Sequence, residues 1–311
     1  MAKILITESV HPIGPELLTA AGHTVVYADR DMDVIRREIV DADAVLVRII
    51  ELPGSLLATA KNLKIVSKHG VGYDNIDLDY CKSHGIAVTI TPNANSLSVA
   101  EHAFTLMLTL AKNIIPVSNE YRTVGFAAKN HAPGIEMTGK TLGLVGMGRI
   151  GKHILHMCRD GLDMHVIVYD PYISEVPEGV EKVDDLSELL RRADVVTLHC
   201  LLPDETRKLI DRERLALMKP TALLINCARG PIVDEAALIE ALENGRLAGA
   251  GLDVTDPEPV APDSPLFKLP NVIVTPHYAP TTVESATRVS KIAAENINAV
   301  LAGQEPVGRI V

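Results

Sequence analysis

The stretch Gly146-Met147-Gly148-Arg149-Ile150-Gly151 decides the fold through what flanks it. Before it runs Thr141-Leu142-Gly143-Leu144-Val145, a short apolar run that reads as a buried parallel strand. Residues 152–157 after it open a helix. Nineteen residues past Gly151, the run Val166-Ile167-Val168-Tyr169 ends in Asp170. Strand, glycine turn, helix, strand and acid in that order predict a dinucleotide-binding unit. Gly146 permits the tight turn, Gly148 lets backbone amides approach a pyrophosphate, and Gly151 lets the helix pack closely. Asp170 accepts hydrogen bonds from ribose hydroxyls and repels a 2′-phosphate, which favours NAD over NADP.

Composition sets the frame around that unit. At 311 residues the chain is long enough for two domains. Apolar residues at 47% and charged residues at 23% match a soluble globular protein. A formal charge of −10 argues against general nucleic-acid or anionic-membrane binding. Cys81, Cys158, Cys200 and Cys227 have no metal-ligand spacing and read as reduced thiols, so no metal is expected. Polar residues interrupt positions 1–9, and the longest apolar run, near 103–111, is too short to span a bilayer. A cytoplasmic enzyme is the expectation.

The first hundred residues alternate strand-like runs (3–7, 24–27, 44–47, 64–67, 86–90) with helical ones (16–21, 32–40, 54–60, 78–83). That order predicts a small doubly wound domain on a parallel sheet. Residues 98–115 read as one long apolar helix ending before Pro116. A polar, weakly structured stretch over 125–138 leads into the glycine unit. From Thr141 the alternation resumes, with six strands near 142–145, 166–169, 195–198, 222–225, 249–252 and 272–275. Residues 283–301 read as one long helix that returns to the first domain. The expected division is therefore a discontinuous domain of residues 1–98 and 285–311, and a dinucleotide-binding domain of 99–284.

Three late strands are each followed by an unusual polar residue. Asn226-Cys227-Ala228-Arg229-Gly230 follows the first, Asp253-Val254-Thr255-Asp256-Pro257-Glu258-Pro259 the second, and Pro276-His277-Tyr278-Ala279 the third. Ligands of open α/β sheets bind outside the carboxyl ends of the strands, so Arg229, Glu258 and His277 are expected to converge near a nicotinamide. Their types suit oxidation of a 2-hydroxy acid. His277 can take the hydroxyl proton near neutrality, Glu258 can orient the ring and stabilise the imidazolium, and Arg229 can hold a carboxylate through its planar fork. Pro257 and Pro259 stiffen the loop around Glu258.

These segments bring a resemblance with them. His69-Gly70-Val71-Gly72-Tyr73-Asp74-Asn75-Ile76-Asp77, Asn95-Ser96-Leu97-Ser98-Val99-Ala100-Glu101, Gly139-Lys140-Thr141, residues 226–231, Val233-Asp234-Glu235, Gly251-Leu252-Asp253-Val254 and Thr275-Pro276-His277 run in family order over nearly the whole chain. The chain resembles the D-2-hydroxyacid dehydrogenase family, in its phosphoglycerate dehydrogenase-like branch. The resemblance implies an α/β fold with two doubly wound parallel-sheet domains, one flavodoxin-like and substrate-binding, the other a Rossmann domain for NAD. It implies Arg229, Glu258 and His277 as the substrate-binding and acid–base triad, and the backbone at Val71–Gly72 as the carboxylate-binding loop. Its implied cofactor contacts are Arg149, Ile150, Asp170, Cys200, Cys227, Ala228, Asp253 and His277. Thr206 falls on the family's threonine after His199, where its hydroxyl either serves a phosphate or caps a nearby helix. A homodimer is implied, with helix 98–115 and arm 125–138 at its interface.

Some positions depart from the pattern. Leu201 stands where proline is common, and Tyr278 follows His277 where small residues are common, so Tyr278 either narrows the pocket or points to solvent. The chain ends at Val311, so a C-terminal regulatory domain and its feedback control by serine are not expected. Arg48 and Lys68, at ends of first-domain strands, resemble basic positions of phosphoglycerate-oxidising relatives. They either bind a second anionic group on the substrate or serve within their own domain. The leading expectation is an NAD-dependent oxidoreductase interconverting a (R)-2-hydroxy acid and a 2-oxo acid, with 3-phosphoglycerate among the candidates. Its alternatives are a glyoxylate or hydroxypyruvate reductase, a relative using formate or phosphite as donor, and an NAD(H)-sensing binding protein like the C-terminal-binding-protein corepressors. The formate branch carries Gln where Glu258 stands, which argues against it.

Overall fold

A computed structural model describes residues 1–130 and 132–311. The elements run β1 (Lys3–Ile6), α1 (Ile13–Ala20), β2 (Thr24–Tyr27), α2 (Met32–Glu38), β3 (Ala44–Val47), α3 (Gly54–Leu57), β4 (Ile65–Lys68), α4 (Leu78–Ser83) and β5 (Ala87–Thr89). Then come α5 (Ser96–Ala111), α6 (Ile114–Val124), β6 (Thr141–Val145), α7 (Arg149–Leu162), β7 (His165–Tyr169), β8 (Val180–Lys182), α8 (Leu186–Arg192) and β9 (Val195–Leu198). The chain closes with α9 (Arg212–Leu215), β10 (Leu223–Asn226), α10 (Glu235–Glu243), β11 (Gly249–Leu252), β12 (Val272–Val274) and α11 (Val283–Leu301). It divides into two compact units, Met1–Asn95 with Thr281–Val311, and Ser96–Pro280. These divisions fall a few residues earlier than the boundaries at 98/99 and 284/285 read from the sequence.

The first unit holds a parallel sheet of order β2-β1-β3-β4-β5, the flavodoxin-like arrangement. Its strands are apolar on both faces. Leu5, Val45 and Val66 pack into a layer with Ile35 and Leu57, while Ile4, Leu46 and Ile65 pack with Leu18 and Ile297 of α1 and α11. That double burial is why β3 reads as an unbroken apolar run. The chain's last residues run antiparallel to β5, with the Ile310 amide donating to the Val88 carbonyl at 2.8 Å.

The second unit holds a seven-stranded parallel sheet, β12-β11-β10-β9-β6-β7-β8. Numbered from β6, this is the 3-2-1-4-5-6 order of a dinucleotide fold with one further strand. Alternate residues of β6 and β9 face opposite layers, Val145, Val196 and Leu198 towards α8 and α10, Leu142, Leu144 and Val195 towards α5 and α7.

Two expectations need correcting. Six strands were expected here and seven form. The extra one, Val180-Glu181-Lys182, is short, polar and at the sheet edge, so it has no apolar pattern to read. The helix expected over 98–115 is two helices. α5 stops at Ala111, Asn113 takes a left-handed conformation (φ 50°), and α6 starts at Ile114 with Pro116 in its first turn. Proline is tolerated there because a first-turn N–H lacks an intrahelical partner in any case. Within 125–138, Gly125–Asn130 forms a 3₁₀ segment, and residue 131 lies outside the described residues.

Candidate active site

The glycine turn lies between β6 and the start of α7. Gly146 has φ +90°, and a Cβ on it would come within 2.9 Å of the His199 carbonyl and the Cys200 amide. The end of β9 thus abuts the turn, at the point where strand order reverses across β6 and β9. A Cβ on Gly151 would meet the Gly146 carbonyl at 2.3 Å, so its close packing is against the turn itself. Gly148 differs: a Cβ there would meet nothing within 4 Å, and as the N-cap of α7 it offers no side-chain cap. The first-turn amides at Arg149, Ile150 and Gly151 therefore face an open approach, with the positive end of a 14-residue helix behind them.

Asp170 follows β7, where its Oδ2 accepts from the Met147 amide at 2.9 Å and its Oδ1 from the Tyr172 amide at 3.0 Å. It is tied to the turn, and each oxygen keeps a lone pair for a ribose hydroxyl. This open, uncapped helix start with an acid at the next strand fits a dinucleotide. Burial pushes the Cys200 thiol up to about 11 and raises that of buried Cys227 as well, so neither is a nucleophile. The Thr206 hydroxyl shares its one hydrogen between the carbonyls of Leu201 (2.7 Å) and Pro203 (3.1 Å), closing its own loop. Leu201 is exposed.

β10, β11 and β12 are neighbours, so their carboxyl-end loops lie side by side. After β10, buried Asn226 shapes the loop, its amide nitrogen donating to the Arg229 carbonyl at 2.9 Å and its oxygen accepting from Ala228 N at 3.0 Å. Arg229 Nη1 donates to the Ala228 carbonyl at 2.7 Å. Gly230 lets this loop touch the next: a Cβ there would sit 1.9 Å from the Thr255 carbonyl. That second loop carries Glu258 between two cis X–Pro bonds, and Asp256 N donates to Glu235 Oε2 at 3.0 Å. After β12, His277 Nδ1 pairs with Glu258 Oε1 at 2.7 Å. Their side chains are 34% and 36% exposed, open enough to meet a substrate. A carboxylate only accepts, so the neutral ring carries its hydrogen on Nδ1 and has Nε2 free as a base.

Asp253 is 1% exposed. Its carboxylate accepts from Thr275 Oγ1 (2.6 Å), Tyr278 N (2.7 Å) and Ala279 N (2.9 Å), so it builds the His277 loop. Tyr278 is half exposed, its ring edge-on to His102.

In the first unit the amides of Val71 and Gly72 make no hydrogen bond among the described residues. Gly70 anchors their loop, its carbonyl accepting from Thr91 N at 2.9 Å. Lys68 is buried, and its ammonium donates to the Arg48 carbonyl and to Asn75 Oδ1 (2.6 Å). Asn75 in turn donates to the Ile50 carbonyl at 2.7 Å. Arg48 Nη1 donates to the Ser9 carbonyl at 2.9 Å. Sequence reasoning gave no role to Glu8, His102, Thr275 and Gly230. Their signals are partners far along the chain, which no local pattern displays. Among the described residues no group of His, Cys, Asp and Glu could hold a metal, and no helix is long and apolar enough to cross a membrane.

The family model for the D-isomer specific 2-hydroxyacid dehydrogenase NAD binding domain matches residues 104–279. The D-3-phosphoglycerate dehydrogenase of Methanocaldococcus jannaschii is 42% identical over 308 residues, 98% of this chain but 58% of that protein. The chain thus spans little more than half of that relative's length. The glyoxylate reductase of Thermofilum pendens is 38% identical over 319 residues, 98% of this chain and 93% of the relative. The solved structure of D-lactate dehydrogenase from Aquifex aeolicus, complexed with NAD and lactic acid, superposes with a TM-score of 0.88 at 32% identity over 96% of each chain. The glycine turn, the sheet order and the His–Glu pair at neighbouring strand ends have one common explanation: the chain belongs to the D-isomer-specific 2-hydroxyacid dehydrogenase family, and its second unit contains that family's NAD-binding domain.

Proposed function

We propose that the protein interconverts a (R)-2-hydroxy acid and a 2-oxo acid with NAD(H), with Arg229, Glu258 and His277 as its catalytic residues. The observation that carries this reading is the 2.7 Å contact between His277 Nδ1 and Glu258. In the oxidative direction His277 Nε2 takes the proton of the C2 hydroxyl, and Glu258 stabilises the imidazolium so formed. In reduction the same nitrogen returns the proton to the 2-oxo oxygen. Arg229, always charged, holds the carboxylate and stabilises negative charge on the C2 oxygen. Bound NAD supplies the hydride acceptor, so the substrate loses one hydride and one proton as the C2 carbonyl forms.

The pyrophosphate is assigned to the amides at Gly148, Arg149, Ile150 and Gly151 and the ribose hydroxyls to Asp170, with Cys200, Thr206, Cys227, Ala228 and Asp253 lining the cofactor. We assign acid binding to the first unit, whose unpartnered Val71 and Gly72 amides suit a carboxylate. Arg48 favours acids with a second anion, 3-phosphoglycerate among them, whereas the ammonium of Lys68 already serves Arg48 and Asn75. We also assign a homodimer, supported by α6, which buries no residue and exposes Ile114, Ile115, Tyr121 and Val124. The cytoplasm is the assigned compartment, in keeping with four free cysteines.

The test is NADH oxidation against glyoxylate, hydroxypyruvate, 3-phosphohydroxypyruvate, oxaloacetate and 3-sulfopyruvate, with NADPH in parallel. Turnover is expected with NADH, fastest for an acid with a distal anion. Turnover confined to glyoxylate and hydroxypyruvate would remove the role of Arg48. Tight NADH binding without turnover of any acid would overturn the enzymatic reading in favour of nucleotide sensing.

A further inference from the structure

His277 stands at φ +51°, a left-handed backbone that is strained for a non-glycine residue. Asp253 holds it there. The Asp253 carbonyl accepts the His277 N–H at 2.8 Å, and its carboxylate collects the next two amides, Tyr278 N at 2.7 Å and Ala279 N at 2.9 Å. Three successive N–H groups thus converge on one buried residue.

The carboxylate is itself held from outside the loop. Thr275 Oγ1 lies 2.6 Å from Asp253 Oδ1 and 3.0 Å from His102 Nε2. A hydroxyl has one hydrogen, and the carboxylate can only accept, so Thr275 donates to Asp253. His102 Nε2 must then be the donor to Thr275, and it also lies 3.5 Å from Asp253 Oδ1. The chain of donation runs from His102 on α5, through Thr275, to Asp253.

We propose that His102 and Thr275 are positioning residues. They orient the Asp253 carboxylate, which pins the backbone of His277 so that Nδ1 meets Glu258 and Nε2 meets the substrate. This inference rests on His277 being the acid–base residue.

The experiment compares Thr275→Val, Thr275→Ser and His277→Asn in the full-length protein, using the best substrate of the oxo-acid panel and NADH titrated by fluorescence. Thr275→Val should lower kcat on the order of 30-fold, the scale set by a displacement below one ångström in a reactive geometry. The oxo-acid KM and NADH Kd should stay within about twofold, and Thr275→Ser should restore kcat to within about threefold, since the hydroxyl donor returns. A wild-type kcat in Thr275→Val would overturn the proposal, as would a loss of NADH affinity equal to the loss in kcat. Activity surviving in His277→Asn would instead sink the reading of His277, which keeps the two failures distinct. Should Thr275→Val not fold, His102→Phe removes only the outer donor and His102→Gln restores one. The same split between kcat and Kd then decides.

Discussion

Each unit has a point where strand order reverses, and the two are furnished in opposite ways. In the second unit that point lies between β6 and β9, where Gly148 leaves the start of α7 open and uncapped. In the first it lies between β1 and β3, where the carboxylate of Glu8, 2% exposed, is already in place. Glu8 accepts from Arg48 N at 2.7 Å, from Ile49 N at 2.9 and 3.0 Å, from Ile50 N at 3.4 Å and from Thr7 Oγ1 at 3.1 Å. One switch point is built to receive an anion, and the other carries its own. The same topology therefore does not predict the same function. What decides is whether the backbone donors at the crossover are already satisfied.

The largest effect should come from the second unit. His277→Ala is expected to lower kcat/KM about 10³-fold, equivalent to about 4 kcal/mol, while the NADH Kd moves less than twofold. Fluorescence titration checks the second half, and affinity falling in step with rate would dissolve the contrast between catalysis and binding. In the first unit Glu8→Ala should act on stability instead. It strips the amides of Arg48 and Ile49 of their acceptor and should cost about 2 kcal/mol in a urea melt. An unchanged midpoint would mean that water satisfies those amides equally well.

Acid should discriminate the units next. Burial, with the nearby Arg48 and Lys68 cations, lowers His69 to about 3, and burial alone lowers His199 to about 3. In the unfolded chain an imidazole titrates near 6.5. Between those values the unfolded state binds a proton that the folded state refuses, so stability falls as pH drops. At pH 5 the loss is about 2 kcal/mol per histidine. Urea midpoints at pH 7 and pH 5 test this, with His69→Asn expected to cancel the first unit's share and His199→Asn the second's. The smallest effect is expected from Asp170→Ala, which should cut the preference for NADH over NADPH about tenfold, or about 1.4 kcal/mol. A constant ratio would mean that the carboxylate serves only the Met147 and Tyr172 amides.

Much of the candidate site was legible because its signals are local. Arg229, Glu258 and His277 lie within six residues of the ends of their strands, and the glycine spacing also lies within six residues. Less legible were features whose cause is remote. The edge strand β8 has no apolar alternation because it faces solvent, and α6 was not separated from α5 because Pro116, read as the end of one helix, sits in the first turn of the next. Lys68 looked like a candidate for an anion, yet its ammonium bonds Arg48 and Asn75 from neighbouring loops.

By itself the sequence determined the alternation that builds two parallel sheets, the glycine turn with its acid, and the residue types capable of proton transfer. These depend on φ/ψ preference, burial period and side-chain chemistry, all short-range properties of the chain. Only the tertiary structure decided which polar groups are already spent. Glu8 meets its amides forty residues away, and His102 meets Thr275 across 173. Parallel crossovers bring such segments to one sheet edge, and a buried polar atom takes whichever partner arrives there.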